Sequence, residues 1–116
     1  RKFPWGDEWR DLHCNSDELG LGETTPVGLF LKGASPYGLL DMSGNVWEWT
    51  RSEGFKDYPY KQDDGREDLN RKDAPRVLRG GSFLDFGVGA RCAYRLRLGP
   101  YSGDRSIGFR VVLLSV

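Results

Sequence analysis

One histidine, one methionine and two cysteines in 116 residues leave little of the chemistry on which metal and redox enzymes depend. His13 alone cannot supply a histidine triad, and a single histidine in a polar loop reads as surface decoration. Cys14 and Cys92 stand far apart and are too few for a disulfide framework, so they read as two free thiols with Cys92 buried. Neither sign of charge is in excess, because 17 Lys and Arg face 17 Asp and Glu. Without a global field there is no electrostatic pull toward nucleic acid, and no such partner is expected. No apolar run approaches the roughly 20 residues that cross a bilayer, and Arg1-Lys2-Phe3-Pro4-Trp5-Gly6 lacks the basic-then-apolar order of a signal sequence. The expectation is a soluble chain without a membrane span, its compartment unassigned. Catalytic patterns are missing too: there is no Ser-His-Asp set and no paired acids, and Gly80-Gly81-Ser82 is too short to cradle a phosphate.

What the sequence does hold is 16 Gly, 6 Pro and 4 Trp at a mean hydropathy of -0.58. That mixture describes a loop-rich fold in which aromatic side chains anchor irregular backbone. The length allows one domain at most. Phe3-Pro4-Trp5-Gly6 reads as the middle of a fold, with apolar anchors and nothing before them to pack on. Residues 7–28 are ordered loop, and Val27 to Leu31 is expected to form a short strand. Val46 to Thr50 alternates, with Trp47 and Trp49 on one face of a strand. Ser52 to Ala74 carries many charges and little that could be buried, so it reads as a solvated loop. Strands are expected at Arg76 to Arg79, at Ala90 to Leu98 with a cationic and an apolar face, and at Ile107 to Leu114. Arg95, Arg97 and Arg110 are expected to pair with acids of the charged loop.

Four blocks carry a resemblance: Phe3-Pro4-Trp5-Gly6; Thr24-Thr25-Pro26-Val27-Gly28; the long run Tyr37-Gly38-Leu39-Leu40-Asp41-Met42-Ser43-Gly44-Asn45-Val46-Trp47-Glu48-Trp49; and Arg79-Gly80-Gly81-Ser82-Phe83 with Gly108-Phe109-Arg110-Val111. In this order they resemble the formylglycine-generating enzymes and their sulfatase-modifying-factor relatives. The resemblance implies an α+β, C-type-lectin-like fold of short antiparallel strands and much ordered loop. It also implies that residues 1–116 are the C-terminal part of a single domain about twice this long, whose N-terminal half would be its partner. Oxidases of the family bind copper through two cysteines shortly after the Gly-Gly-Ser turn, a soft pair suited to Cu(I). Here that stretch is Phe83 to Ala90 and holds neither cysteine, so catalysis is not expected and no cofactor is required. The resemblance further implies a structural calcium, held by Ser43, Gly44, Val46 and Glu48, with Asn15 and Ser16 at a second site. The alternative, that these groups satisfy buried loop amides without metal, stays open.

The closing segment, residues 79–112, also resembles the variable region of proteins diversified by retroelements. Its frame is complete in Arg79 to Phe83, Arg91-Cys92-Ala93-Tyr94-Arg95, and Ile107-Gly108-Phe109-Arg110-Val111-Val112. Adenine-directed mutagenesis of Asn codons never yields Lys, Glu, Gln, Met or Trp, and all five are absent after Lys72. The resemblance implies a receptor-like protein of prokaryotic or viral source, cytoplasmic or surface-displayed, that binds a protein or other macromolecule. Leu84, Asp85, Phe86, Val88, Tyr94, Leu96, Leu98, Tyr101, Ser102, Asp104, Arg105 and Ser106 would be its contact residues. Apolar side chains beside Gly87 and Gly89 in a loop suit a contact surface, as do Tyr94 and Tyr101. That Leu84, Phe86, Leu96 and Leu98 are plain core stays open, as do an oxidase of sulfatase cysteines and an accessory domain fused to an effector.

Overall fold

The computed structural model describes residues 1–115. Four strands make one sheet: β1 (Trp47–Glu53), β2 (Arg76–Arg79), β3 (Arg95–Leu98) and β4 (Ile107–Gly108), in the order β3-β2-β1-β4. The Trp-rich alternation forms the central strand as expected. β2 lies antiparallel to β1, with Glu48 opposite Arg79 and Glu53 opposite Arg76 across an irregularity after Trp49. β3 pairs antiparallel with β2 over all four residues. β4 runs parallel to β1, with Trp47 opposite Ile107. The helical content is three 3-10 turns, Asp11–His13, Asp17–Leu19 and Leu31–Gly33.

The sheet is short and its core small, so loops supply much of the packing. Val77 and Leu78 are adjacent, point to opposite faces and are both buried, which means the middle of the sheet is covered on both sides. The first loop carries an aromatic cluster of its own: Phe3 stacks on Trp5 at 5.4 Å and meets Trp9 edge-on at 5.3 Å. The tight reversal into β1 is built on Gly44 and Asn45, both left-handed at φ 77° and 68°. A Cβ on Gly44 would lie 2.4 Å from the Asn15 carbonyl oxygen, so glycine is required twice over.

Several expectations are corrected. Val27 to Leu31 is not a strand: a turn at 27–28 precedes the 3-10 turn at Leu31–Gly33. The strand expected from Ala90 begins only at Arg95, because the Arg79 guanidinium gathers the carbonyls of Cys92 (3.4 Å), Ala93 (3.0 Å) and Tyr94 (3.2 Å) and holds that stretch as a turn. Cys92 is therefore exposed and Cys14 is the buried thiol. The last strand pairs only at Ile107–Gly108, leaving Phe109, Val111, Val112, Leu113 and Leu114 exposed.

The charged loop is not simply solvated. Arg66 is buried, with Nη2 2.7 Å from Asp64 Oδ2, and Arg76 donates to the carbonyls of Arg51, Asp68 and Arg71 at 2.7–3.0 Å. Arg95 and Arg97 find aromatic rings rather than acids, lying 4.4 Å over Tyr58 and 4.5 Å over Phe55. Arg110 pairs with Glu48, outside the charged loop.

Candidate ligand-binding surface

The turn after β2 explains the Gly-Gly-Ser-Phe motif. Gly80 and Gly81 are left-handed, and a Cβ on Gly81 would meet the Gly89 carbonyl oxygen at 3.0 Å. Ser82 and Phe83 are buried. Ser82 donates through its backbone N–H (2.9 Å) and Oγ (2.5 Å) to Asp85 Oδ2, which closes the first turn. Gly89 N–H to Phe86 carbonyl (2.9 Å) and Ala90 N–H to Gly87 carbonyl (3.1 Å) close the next. Two contacts from far upstream then fix the loop: Glu18 Oε1 accepts from Gly87 N–H at 2.7 Å, and the Asp85 carbonyl accepts from Asp17 N–H at 3.0 Å. The backbone is thus held at both turns, while Leu84, Phe86 and Val88 are 46%, 61% and 61% exposed.

The other expected contact residues fall in two further places. Leu96 and Leu98 are half-buried on edge strand β3, neither core nor open. Tyr94 is exposed at the turn before β3, its ring 5.9 Å from that of buried Trp47. Tyr101, Ser102 and Arg105 are exposed on the crossover from β3 to β4. The Tyr101 hydroxyl donates to Asp73 Oδ1 at 3.1 Å, and the Arg105 guanidinium lies 5.4 Å over the Phe83 ring. That contact brings the crossover beside the base of the 84–89 loop.

Three of the expected contact residues also have framework duties. Ser106 is buried, and its carbonyl accepts from Trp47 N–H at 2.7 Å where β4 joins the sheet. Asp104 Oδ1 accepts from Ser106 N–H and Oγ at 2.7 and 2.6 Å, which holds its carboxyl below the usual value. Asp85 closes the Ser82 turn. Trp9 and Glu18, which shape the loop, carried no local signal because they act on residues some seventy positions away.

Among the residues expected around calcium, Glu48 is engaged in a two-bonded pair with Arg110, Nε to Oε2 at 2.6 Å and Nη2 to Oε1 at 2.7 Å. Ser43 Oγ donates to the Ala90 carbonyl at 2.6 Å, and Gly44 N–H to that of Gly80 at 2.8 Å. Val46 is half-buried, its side chain against Gly108. Asn15 and Ser16 are buried directly behind this block, where the Asn15 carbonyl accepts from Asn45 N–H at 2.8 Å. Asn15 Oδ1 and Ser16 Oγ are buried oxygens without a partner among the described residues. The fit to calcium is therefore uneven: two unused hard oxygens on one side, and a carboxylate already neutralised on the other. His13 is half-buried rather than decorative, its ring 5.3 Å from Trp5, and desolvation followed by Lys32 and Arg10 pushes its pKa down.

A family model, the sulfatase-modifying factor enzyme 1-like domain, matches residues 1–114. The chain belongs to that family. It is 36% identical to the inactive C-alpha-formylglycine-generating enzyme 2 of Bos taurus over 93% of the chain, and 32% identical to the bovine formylglycine-generating enzyme over 95%. The serine/threonine-protein kinase pkn1 of Chlamydia caviae matches at 34% over 94%. The chain spans only 17% to 36% of the length of these relatives, and they include both an active and an inactive form. Among solved structures, PvdO of Pseudomonas aeruginosa superposes with a TM-score of 0.72 at 28% identity, covering 92% of this chain and 41% of that one. Treponema denticola variable protein 1 gives 0.66 at 25% identity, covering 84% and 34%. The small, sheet-rich fold is thus that of the formylglycine-generating-enzyme group of C-type-lectin-like folds. No helix is long and apolar enough to cross a membrane among the described residues.

Proposed function

We propose that this chain is a ligand-binding scaffold whose residues 79–112 display a diversified surface, centred on Leu84, Phe86 and Val88 with Tyr94, Tyr101 and Arg105 around them. One observation carries the reading: in the 84–89 loop the backbone is fixed by Gly81, Ser82, Asp85 and Glu18, while the side chains between are exposed and apolar. Large apolar groups on a rigid loop suit contact with a protein or other macromolecule. Likeness to a variable protein and the five residue types missing after Lys72 favour retroelement diversification. The reading is tested in the gene neighbourhood. A near-identical repeat with Asn codons at these positions is expected, and its absence beside an intact gene contradicts the diversification.

The chain is further inferred to be the C-terminal part of an α+β domain whose N-terminal half covers Val27, Leu29 and the exposed run Phe109 to Leu114. This rests on those exposed apolar residues and on the short span of the relatives that is matched. On this reading the protein does no catalysis, since Asp85 and its neighbours stand where the copper-binding cysteines would be. Formylglycine formed on a Cys-x-Pro-x-Arg peptide with added copper would contradict that. A calcium ion, if held, would take Asn15 Oδ1 and Ser16 Oγ, leaving Glu48 to Arg110. A calcium-dependent rise in melting temperature that Asn15→Ala abolishes is the expected result, and an unchanged melting temperature contradicts it.

A further inference from the structure

Beside the 84–89 loop, to which Arg91 is tied through the Val88 carbonyl, a cleft of about 590 Å³ opens between the 35–42 segment and the end of β2. Pro4, Pro36, Tyr37, Leu39 and Met42 make the apolar part of its lining. Tyr37, on this lining, is 89% exposed. Arginine supplies all the charge on its lining: Arg1, Arg79 and Arg91 stand on it and no acid does. In a chain of zero net charge, three cations on one cleft with no ion pair among the described residues are a local asymmetry. The cations differ in how much they have left to give. Arg79 is occupied with the carbonyls of residues 92–94 and the Tyr58 hydroxyl. Arg91 donates Nε to the Val88 carbonyl at 2.9 Å and lies 5.9 Å over the Tyr94 ring, while its two terminal nitrogens have no hydrogen-bond partner among the described residues.

We propose that this cleft is a second binding site, and that its occupant is an acidic peptide segment carrying an aromatic side chain. The aromatic group lies against Tyr37, Leu39 and Met42, where burial supplies affinity. A flanking carboxylate takes the free fork of Arg91, in a bidentate bond that lysine could not match. The positive rim sets the sign of the partner and rejects basic peptides. The volume falls within the range of about 300–1,000 Å³ typical of ligand pockets, enough for one aromatic residue and its neighbours.

Cys92 on the cleft wall gives a direct readout, because it is the exposed thiol and Cys14 is buried. The probe is a fluorescein-labelled Gly-Asp-Phe-Asp-Gly peptide followed by anisotropy, with Gly-Lys-Phe-Lys-Gly and Gly-Asp-Ala-Asp-Gly for comparison. The acidic aromatic peptide is expected to bind and to slow reaction of Cys92 with a thiol reagent. Arg91→Ala and Tyr37→Ala are each expected to weaken it about tenfold, and Phe86→Ser is expected to leave it unchanged. Equal binding of the lysine or the alanine peptide overturns the proposal, as do variants without effect. Slowing of Cys92 that grows with protein concentration and no peptide also overturns it, by assigning the cleft to a second copy of the chain. Because Phe86 is not in the cleft, loss of the loop's binding function and loss of this site are separately visible.

Discussion

Gly87 lies against the indole of Trp9 so closely that a Cβ there would come within 2.7 Å of Cε3. The contact joins the first loop of the chain to the middle of the segment proposed to vary, and it divides that segment by function. Leu84, Phe86 and Val88 leave the backbone on the solvent side, whereas Gly87 and Gly89 are buried and serve the frame.

The first prediction follows from that division. Gly87→Ala must push Trp9 off its packing against Phe3 and Trp5, at a cost of about 1–3 kcal/mol. Phe86→Ser and Val88→Ser, which remove exposed side chains, are expected to change stability by less than about 0.5 kcal/mol. Urea denaturation of the three variants checks this. Comparable losses at all three positions would mean that the exposed side chains hold the loop.

The pH dependence of the charged loop supplies the second prediction. The hydrogen bonds from Arg66 hold the Asp64 carboxyl down at about 2, below the ordinary carboxylate value. A depressed acid stabilises the fold fully above its unfolded value, and that contribution fades as pH falls toward the folded one. Thermal stability is therefore expected to drop between about pH 4 and pH 2 through this pair, and Asp64→Asn to flatten that part of the curve. An identical acid limb in the variant would show that Asp64 is not responsible.

The two thiols give the third. Burial raises Cys14 to about 12, with Glu18 adding to the shift, whereas Cys92 is exposed. A disulfide reagent at neutral pH is expected to react with one thiol in the native protein and with two in guanidinium. Cys92→Ser should abolish the native reaction. Two fast equivalents in the native state would mean that the loop carrying Cys14 opens.

Much of this was legible in the sequence where the determinant is local. The alternation around Trp47 gave the central strand, Arg76 to Arg79 gave β2, and paired glycines marked the turn where a carbonyl approaches within 3.0 Å. Features that depend on distant partners were not. Ala90 to Tyr94 alternates like a strand, yet Arg79 takes its carbonyls first. Ile107 to Leu114 has the composition of a strand, yet its pairing with β1 stops at Gly108, where Arg110 instead binds Glu48 and the carbonyls of Leu40 and Asp41. Charge suggested that Arg66 faces water, but its guanidinium is buried against the Asp64 carboxylate and the Asp57 carbonyl. Ser106 and Asp104, read as contact residues, also form the turn that delivers β4 to Trp47, a duty that depends on a distant partner.

The central claim is that the frame folds independently of the side chains it displays, and that those side chains bind. The direct measurement is simultaneous randomisation of Leu84, Phe86, Val88, Tyr94 and Tyr101 in the displayed protein, scored in parallel for folding and for binding to a panel of immobilised proteins. Most variants are expected to fold as the parent does, and different variants to select different partners. A library in which folding collapses, or in which folded variants bind nothing that the parent does not, would contradict the account.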